Sequence, residues 1–176
     1  MKKKSSADGV ERTVINMVVK DDTEFLSVFS ASDTPVISSG VAEFIENSTN
    51  YIPGAKPLVL RIKSNCIDEQ EKTTYKKAIK QYYSEKLAAL ERAIKLDNLI
   101  SGILAFLGVL VLVFAVFIEY NFSSVVWAEV IDIVAWVLVW EAVDVGFLKN
   151  RSMKIQRNRY REYINMEIEY VSEQND

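Results

Sequence analysis

The feature that most constrains this chain is a run of 20 uncharged residues from Leu99 to Ile118, LISGILAFLGVLVLVFAVFI. At about 1.5 Å of rise per residue, a helix of that length crosses the roughly 30 Å hydrocarbon core of a bilayer. Its Leu, Ile, Phe and Val side chains favour insertion by roughly 5 to 9 kcal/mol. A chain of 176 residues has little else with which to cover such a helix. The run predicts a transmembrane helix over residues 99–118.

A second apolar segment, residues 125–148, follows the short sequence EYNFSS at 119–124. We expect a second transmembrane helix here, joined to the first by an external turn at 119–124, because so short a link makes the two helices antiparallel neighbours. The segment contains four acids and neither Lys nor Arg, and each acid near a helix centre costs on the order of 2.5 to 3.5 kcal/mol. We therefore expect it to insert as a hairpin with the first span.

The basic residues predict the orientation of this hairpin. The sequence KNRSMKIQRNRYR at 149–161 has six Lys or Arg and no acid, and Lys86, Arg92 and Lys95 precede the first span. The turn between the spans has one acid and no base. By the positive-inside rule, we expect a two-pass protein of the cytoplasmic membrane with both termini in the cytoplasm.

The hydrophilic first part of the chain predicts a small α+β domain at 12–66, after a disordered tail at 1–11. The sequences RTVINMVVK (12–20) and PLVLRIKS (57–64) alternate as strands do. Between them, SSGVAEFIENSTN predicts a helix at about 39–48, capped by Ser38 or Ser39. We expect the two strands to pair around this helix.

Helical periodicity dominates the remainder. Residues 68–98 predict a cytoplasmic amphipathic helix that runs into the first span without a Pro or Gly to interrupt it. Residues 149–176 predict a basic amphipathic helix and tail, with one apolar stripe formed by Met153, Tyr160, Ile164, Ile168 and Val171. The predicted fold class is a mainly α membrane protein, an antiparallel two-helix transmembrane hairpin with long cytoplasmic helical extensions plus a small N-terminal α+β domain. This general shape resembles that of small two-span bacterial membrane proteins, a resemblance that implies no activity.

The composition argues against several classes of function. The chain has no histidine and a single cysteine, Cys66, so it can form neither an internal disulfide nor a Cys/His metal site, and it lacks Ser-His and Cys-His machinery. It has no glycine pattern of a phosphate-binding loop. We therefore expect no catalytic residues, no metal, no cofactor and no enzyme activity. The net charge of −3 gives no reason to expect a nucleic-acid partner.

The acids of the second span form a stripe with two tryptophans. At about 100° per residue, five residues fall within a sector of about 120° and Glu141 lies just outside it; the five are Glu129, Asp132, Trp136, Trp140 and Asp144. Three interpretations stay open. The acids sit near the two interfaces, or the stripe is buried against other copies of the chain, or it lines a cation or proton path within an oligomer, with Asp132 and Glu141 as selectivity elements.

Two further features concern the membrane. Retention of the C-terminal arm in the cytoplasm is the favoured explanation of the basic run, which also supplies candidate residues for binding anionic headgroups; these are Lys149, Arg151, Lys154, Arg157, Arg159 and Arg161. In the first span, Ser101, Ala105 and Gly108 are small residues on roughly one face, which would let another helix approach closely.

Together these features predict a non-enzymatic, membrane-anchored adaptor or sensor. Residues 12–66 would bind a cytoplasmic protein partner, and the chain would associate with itself in the bilayer. The alternative is a small oligomeric cation or proton channel, or a membrane-disrupting effector, lined by the acids of the second span.

Overall fold

The computed structural model describes residues 12–31, 33–50, 57–122 and 125–172, a mainly helical chain with a small parallel sheet. The strands are β1 (Thr13–Val18), β2 (Leu58–Lys63) and β3 (Glu167–Val171). The helices are α1 (Ser39–Thr49), α2 (Glu69–Phe122), α3 (Val125–Val143) and α4 (Asn150–Asn165), and a π-helical segment, Asp144–Lys149, joins α3 to α4. The predicted tail at 1–11 lies outside the described residues.

The sheet has the order β1-β2-β3 and all its strands are parallel. The central strand β2 is apolar and buried at Leu58, Val59, Leu60 and Ile62, as expected of a strand with neighbours on both edges. Helix α1 connects β1 to β2 and begins at Ser38, whose hydroxyl accepts a hydrogen bond from the Val41 amide. The predicted strands at 12–20 and 57–64 and the helix at 39–48 are confirmed.

Strand β3 corrects the prediction for the C-terminus. We expected the helical stripe of 149–176 to continue through Ile168 and Val171, but α4 ends at Asn165 and residues Glu167–Val171 pair with β2, with Ile168 opposite Leu60. The sequence EIEYV alternates polar and apolar residues, so it fits a strand as well as a helix. The open edge of β2 favours the strand, because it offers hydrogen-bond partners to backbone groups that would lack them at the end of a helix.

The described chain divides into two compact units. The first contains the residues up to Ala88 and those from Asn158 onward; the second is Ala89–Arg157. The division falls within α2 and within α4, so the second unit is inserted in the connection from β2 to β3. The C-terminal strand therefore belongs to the same sheet as the strands at the N-terminus.

The core of the first unit is aromatic where the helices meet. Tyr83 of α2 is fully buried, and its ring centroid lies 4.7 Å from that of Tyr163 in α4. The Tyr163 and Thr49 hydroxyls hydrogen-bond to each other, which connects α4 to the last residue of α1. Near the start of α2, the Tyr75 hydroxyl donates to Asp22 at 2.9 Å and its ring stacks on Phe25. These contacts hold the long segment between β1 and α1 on α2.

Helix α2 is continuous over 54 residues, which confirms that the amphipathic segment at 68–98 runs into the apolar segment without a break. It continues to Phe122, so the turn predicted at 119–124 is wrong for its first four residues; residues 123–124 lie outside the described chain. The reason is that EYNF contains no helix breaker. By length and composition α2 could cross a membrane, and only 11% of its most apolar window is buried.

Candidate functional site

Helix α2 contacts α3 through small residues. A Cβ added to Gly108 would lie 2.9 Å from Val139 Cγ2 and 3.5 Å from the Ala135 carbonyl oxygen, so the two backbones approach closely at this point. Ala135 and Ala142 of α3 are buried. Of the small residues predicted to form a contact face, Ser101 and Gly108 lie in the contact and Ala105 is exposed.

Burial along both helices follows the seven-residue repeat of packed helix pairs. In α2 the buried or half-buried positions include Ser101, Leu104, Gly108, Val111, Ala115 and Ile118, and in α3 they include Ile131, Ala135, Leu138 and Ala142. The small members recur every seven residues, at 101, 108 and 115 and at 135 and 142. Close approach of this kind is what stabilises helix pairs in lipid, where no hydrophobic effect drives association.

A polar cluster lies at one end of this contact. Lys149 Nζ is 3.2 Å and 3.1 Å from the two carboxylate oxygens of Asp97, which is 8% exposed. Asn150 is buried and donates to Asn98 and to the Gly146 carbonyl. Every partner belongs to the second unit, so these polar groups tie α2 to the π-helical segment and to the start of α4.

Ser101 contacts α3 and the π-helical segment at the junction between them. Its hydroxyl donates to the Ala142 carbonyl at 2.7 Å, and a Cβ on Gly146 would lie 2.5 Å from the same hydroxyl oxygen. A π-helical segment shifts the hydrogen-bonding ladder, and in lipid every backbone group must find a partner within the protein. The Ser101 hydroxyl supplies a donor at this junction, and the missing side chain of Gly146 leaves room for it.

The stripe predicted in α3 lies largely away from the contact with α2. Trp136 and Trp140 are 55% and 66% exposed. Glu129, Glu141 and Asp144 are exposed and Asp132 is half-buried at the border of the contact. Four members follow one another at intervals of four residues, Asp132, Trp136, Trp140 and Asp144, and form one ridge along the helix. We call these four the Asp/Trp row.

The six predicted headgroup-binding residues do not form one free basic surface. Lys149 pairs with Asp97, and Arg159 donates to the Thr49 carbonyl at 3.2 Å. Arg157 is half-buried. Arg151 and Lys154 are exposed beside Ile155, which is 58% exposed, and Arg161 is exposed in the first unit.

The first unit has a shallow cavity of about 380 Å³ next to the N-terminus of α1. The segment between β1 and α1 forms one wall with Glu24, Leu26, Val28 and Phe29, and Ser38, Ser39 and Gly40 line the other. Val28 and Phe29 are 87% and 95% exposed, which is unusual for apolar side chains of a folded domain. The described residues of this segment form no helix or strand, and Leu26 and Ile37 make an isolated bridge.

Burial and hydrogen bonding shift the pKa of several tyrosines and of one lysine in the first unit. Burial raises the pKa of Tyr83 and Tyr163, and it raises the pKa of Tyr170 to about 12. Burial alone would lower the pKa of Lys86, but hydrogen bonds to Tyr82 and Glu46 and the charge of Glu46 raise it overall. Among the described residues, no group of three or more Cys, Asp or Glu side chains could hold a metal ion.

The chain was compared with protein-family models, with curated proteins and with solved structures. None of them matches it.

Sequence reasoning missed several residues that the structure brings together. Asp97, Asn98 and Asn150 were not singled out, because single polar residues at the end of a helix normally face solvent. The sequence analysis also did not predict that Ala135 and Ala142 contact the first apolar helix. A search for small residues seven apart in both apolar segments would have found them.

Proposed function

We propose that this chain is a two-pass protein of the cytoplasmic membrane that anchors a small α/β interaction domain to the inner face of the bilayer, as an adaptor or sensor without enzyme activity. The observation that carries the proposal is the pairing of β2 with β3. These strands lie on either side of the long apolar helix in the chain and yet belong to one sheet.

The pairing of β2 with β3 in one sheet is evidence for an even number of membrane crossings between them. If α2 crosses the bilayer, the chain must cross back before residue 167, because hydrogen-bonded strands cannot lie on opposite sides of a membrane. Residues 125–149 are helical, and roughly 1.5 Å per residue gives them enough length to return. On this proposal, the second span is the one that the sequence predicts at residues 125–148.

Contacts within the second unit support an antiparallel pair of spans. Asp97 pairs with Lys149, Ser101 bonds to Ala142, and Gly108 approaches Ala135 and Val139. As the residue number in α2 rises along these contacts, the number of the residue that it contacts falls. This is the order expected of helices that run in opposite directions. The basic residues flanking both segments favour the cytoplasm for the ends of this pair.

The native cysteine provides a test of this topology. Cys66 is exposed in the first unit, so a membrane-impermeant maleimide should label it only after the cell membrane is permeabilised. In a Cys66→Ser background, a Ser123→Cys variant should be labelled in intact cells. Labelling of Cys66 in intact cells, or release of the protein from membranes by alkaline carbonate, would contradict the proposal.

The interaction role rests on the apolar wall of the cavity. Val28 and Phe29 are almost fully exposed and lie in a loop after a parallel strand, where α/β domains present their binding residues. A photoreactive phenylalanine at Phe29 should crosslink to a cytoplasmic protein in living cells. The same probe at Phe44, which is 40% exposed on α1, is the control. Equal crosslinking at both positions, or none at either, would count against a binding site in this loop.

A further inference from the structure

The Asp/Trp row raises the question of what covers it in a membrane. Asp132 borders the contact with α2, and the row then turns away from it, so that Trp136, Trp140 and Asp144 are exposed. The small residues that pack against α2, Ala135 and Ala142, occupy a different side of α3. Packing within the chain therefore leaves most of the row free to contact another molecule.

The cost of leaving the row in lipid is large. A carboxylate within the hydrocarbon strongly disfavours insertion, and an indole N–H without a hydrogen-bond partner adds to this cost. Neither apolar segment contains Lys or Arg, so the chain has no base of its own at that depth. The groups that satisfy the row must come from outside the chain.

The row is complementary to itself. It carries two indole N–H donors in its centre and a carboxylate acceptor at each end, all on one ridge. Two copies with the same topology bring their rows to the same depth. In ridge-into-groove packing, a residue of one row fits between two residues that are four apart in the other, so each indole can reach a carboxylate one step along the partner's row.

On this basis, we propose that the Asp/Trp row of α3 is a homotypic interface at which a second copy of this chain packs, row against row, with Trp136 and Trp140 donating hydrogen bonds to carboxylates of the partner. The contact is isologous and closes on itself. This inference rests on the proposed function, because it requires α3 to span the bilayer.

Two adjacent residues give a matched test. Ile133 is 64% exposed and shares its face with Trp136 and Trp140, at spacings of three and seven residues. Val134 is 50% exposed and lies about 100° further round the helix, at nearly the same depth. In a Cys66→Ser background, membranes that contain Ile133→Cys should give a disulfide-linked dimer with copper phenanthroline, and membranes that contain Val134→Cys should not.

A second set of variants tests the hydrogen bonds. Trp136→Phe and Trp140→Phe keep an aromatic ring and remove the N–H donor. Each should weaken dimerisation of the Ile133→Cys protein by about threefold for every hydrogen bond lost, the typical strength between membrane helices. The conservative control is Phe114→Tyr on α2, where the native side chain is 55% exposed, and it should leave dimerisation unchanged.

The outcomes separate the inference from the proposed function. If the protein resists carbonate extraction but neither cysteine crosslinks, or Val134→Cys crosslinks as well as Ile133→Cys, the homotypic interface is wrong and the membrane anchor stands. Crosslinking of Ile133→Cys to a different protein would also overturn the interface and indicate a partner with its own complementary polar groups. Complete release by carbonate would overturn the anchor and the interface together.

Discussion

Gly108 and Gly146 are the residues on which the contact between α2 and its partners depends most directly. A methyl group at Gly108 would meet Val139 at 2.9 Å, and one at Gly146 would meet the Ser101 hydroxyl at 2.5 Å. Gly102 has no atom within 4 Å of the same position. The three glycines therefore differ in packing while sharing a helical backbone.

We predict that Gly108→Ala and Gly146→Ala each lower the free energy of unfolding in detergent micelles by about 1 to 3 kcal/mol, the usual cost of overpacking. Gly102→Ala is the control and should be neutral or slightly stabilising, because alanine has the higher helix propensity. Adding Ser101→Ala to Gly146→Ala should recover part of the loss, since the closest atom is then removed. Equal effects of all three glycine substitutions would show that packing at Gly108 and Gly146 is unimportant.

The ion pair between Asp97 and Lys149 gives Lys149 a different role from the one that the sequence predicts. The sequence predicts headgroup binding for Lys149, but the residue lies within 3.2 Å of a carboxylate that is 8% exposed. Lys149→Met should destabilise the protein by about 1 to 3 kcal/mol, because Asp97 keeps its burial and loses its partner. Lys154→Met removes an exposed base and serves as the control. The measurement is SDS titration of the protein in mixed micelles, and equal destabilisation by both variants would contradict this role.

At the scale of the element, the buried tyrosines make the first unit sensitive to alkali. Burial raises the pKa of Tyr75, Tyr83, Tyr163 and Tyr170, so the folded state holds these protons more tightly than the unfolded state does. Their contribution to stability is complete below the unfolded pKa of about 10 and is lost as the pH rises through the folded values.

We therefore expect the free energy of unfolding to fall above about pH 10. Tyrosinate absorbance from these four tyrosines should rise only as the domain unfolds. A Tyr83→Phe variant should lose amplitude from that step. Ionisation of these tyrosines well before unfolding would contradict the burial described here.

Strand β3 gives a second prediction at this scale. A stop codon after Asn165 removes the strand and leaves β2 with an open edge, so we expect faster amide exchange in Leu58–Lys63 and proteolysis within the first unit. The Tyr170 hydroxyl, which donates to the Lys72 carbonyl, is lost as well. A stop codon after Ser172 is the matched control and should leave protection unchanged. Unchanged exchange in the shorter protein would show that β3 adds no stability.

The elements differ in how well the sequence predicts them. Alternating residues at 12–20 and 57–64 and the unbroken helical period from residue 68 identify β1, β2 and α2 correctly, because local patterns decide them. The sequence EIEYV is compatible with the period of a strand and with that of a helix. The strand with which it pairs, β2, lies more than a hundred residues earlier in the chain. Periodicity cannot detect such a pairing. For the same reason, periodicity could not detect the cluster of Asp97, Lys149 and Asn150. Its members come together only through the packing of α2 with the segment after α3.

At the scale of the whole molecule, the connectivity is informative about function. After β2 the chain continues into the apolar helix α2, and it returns to the same sheet at β3. A membrane anchor placed at one end of a domain needs a single connection. Here two helical connections, α2 and α4, join adjacent strands of the sheet to the inserted unit. The inserted unit is therefore connected to the sheet at both of its ends.

The position of β3 also sets an order of events during synthesis. Residues 167–171 leave the ribosome after every apolar residue of α2 and α3 has already done so. Until then the sheet has only two strands, and the groove for its third strand stays empty. If the apolar segments insert into the membrane as proposed, the sheet is completed only after both have left the ribosome, so a chain that stalls before this point does not display a finished domain.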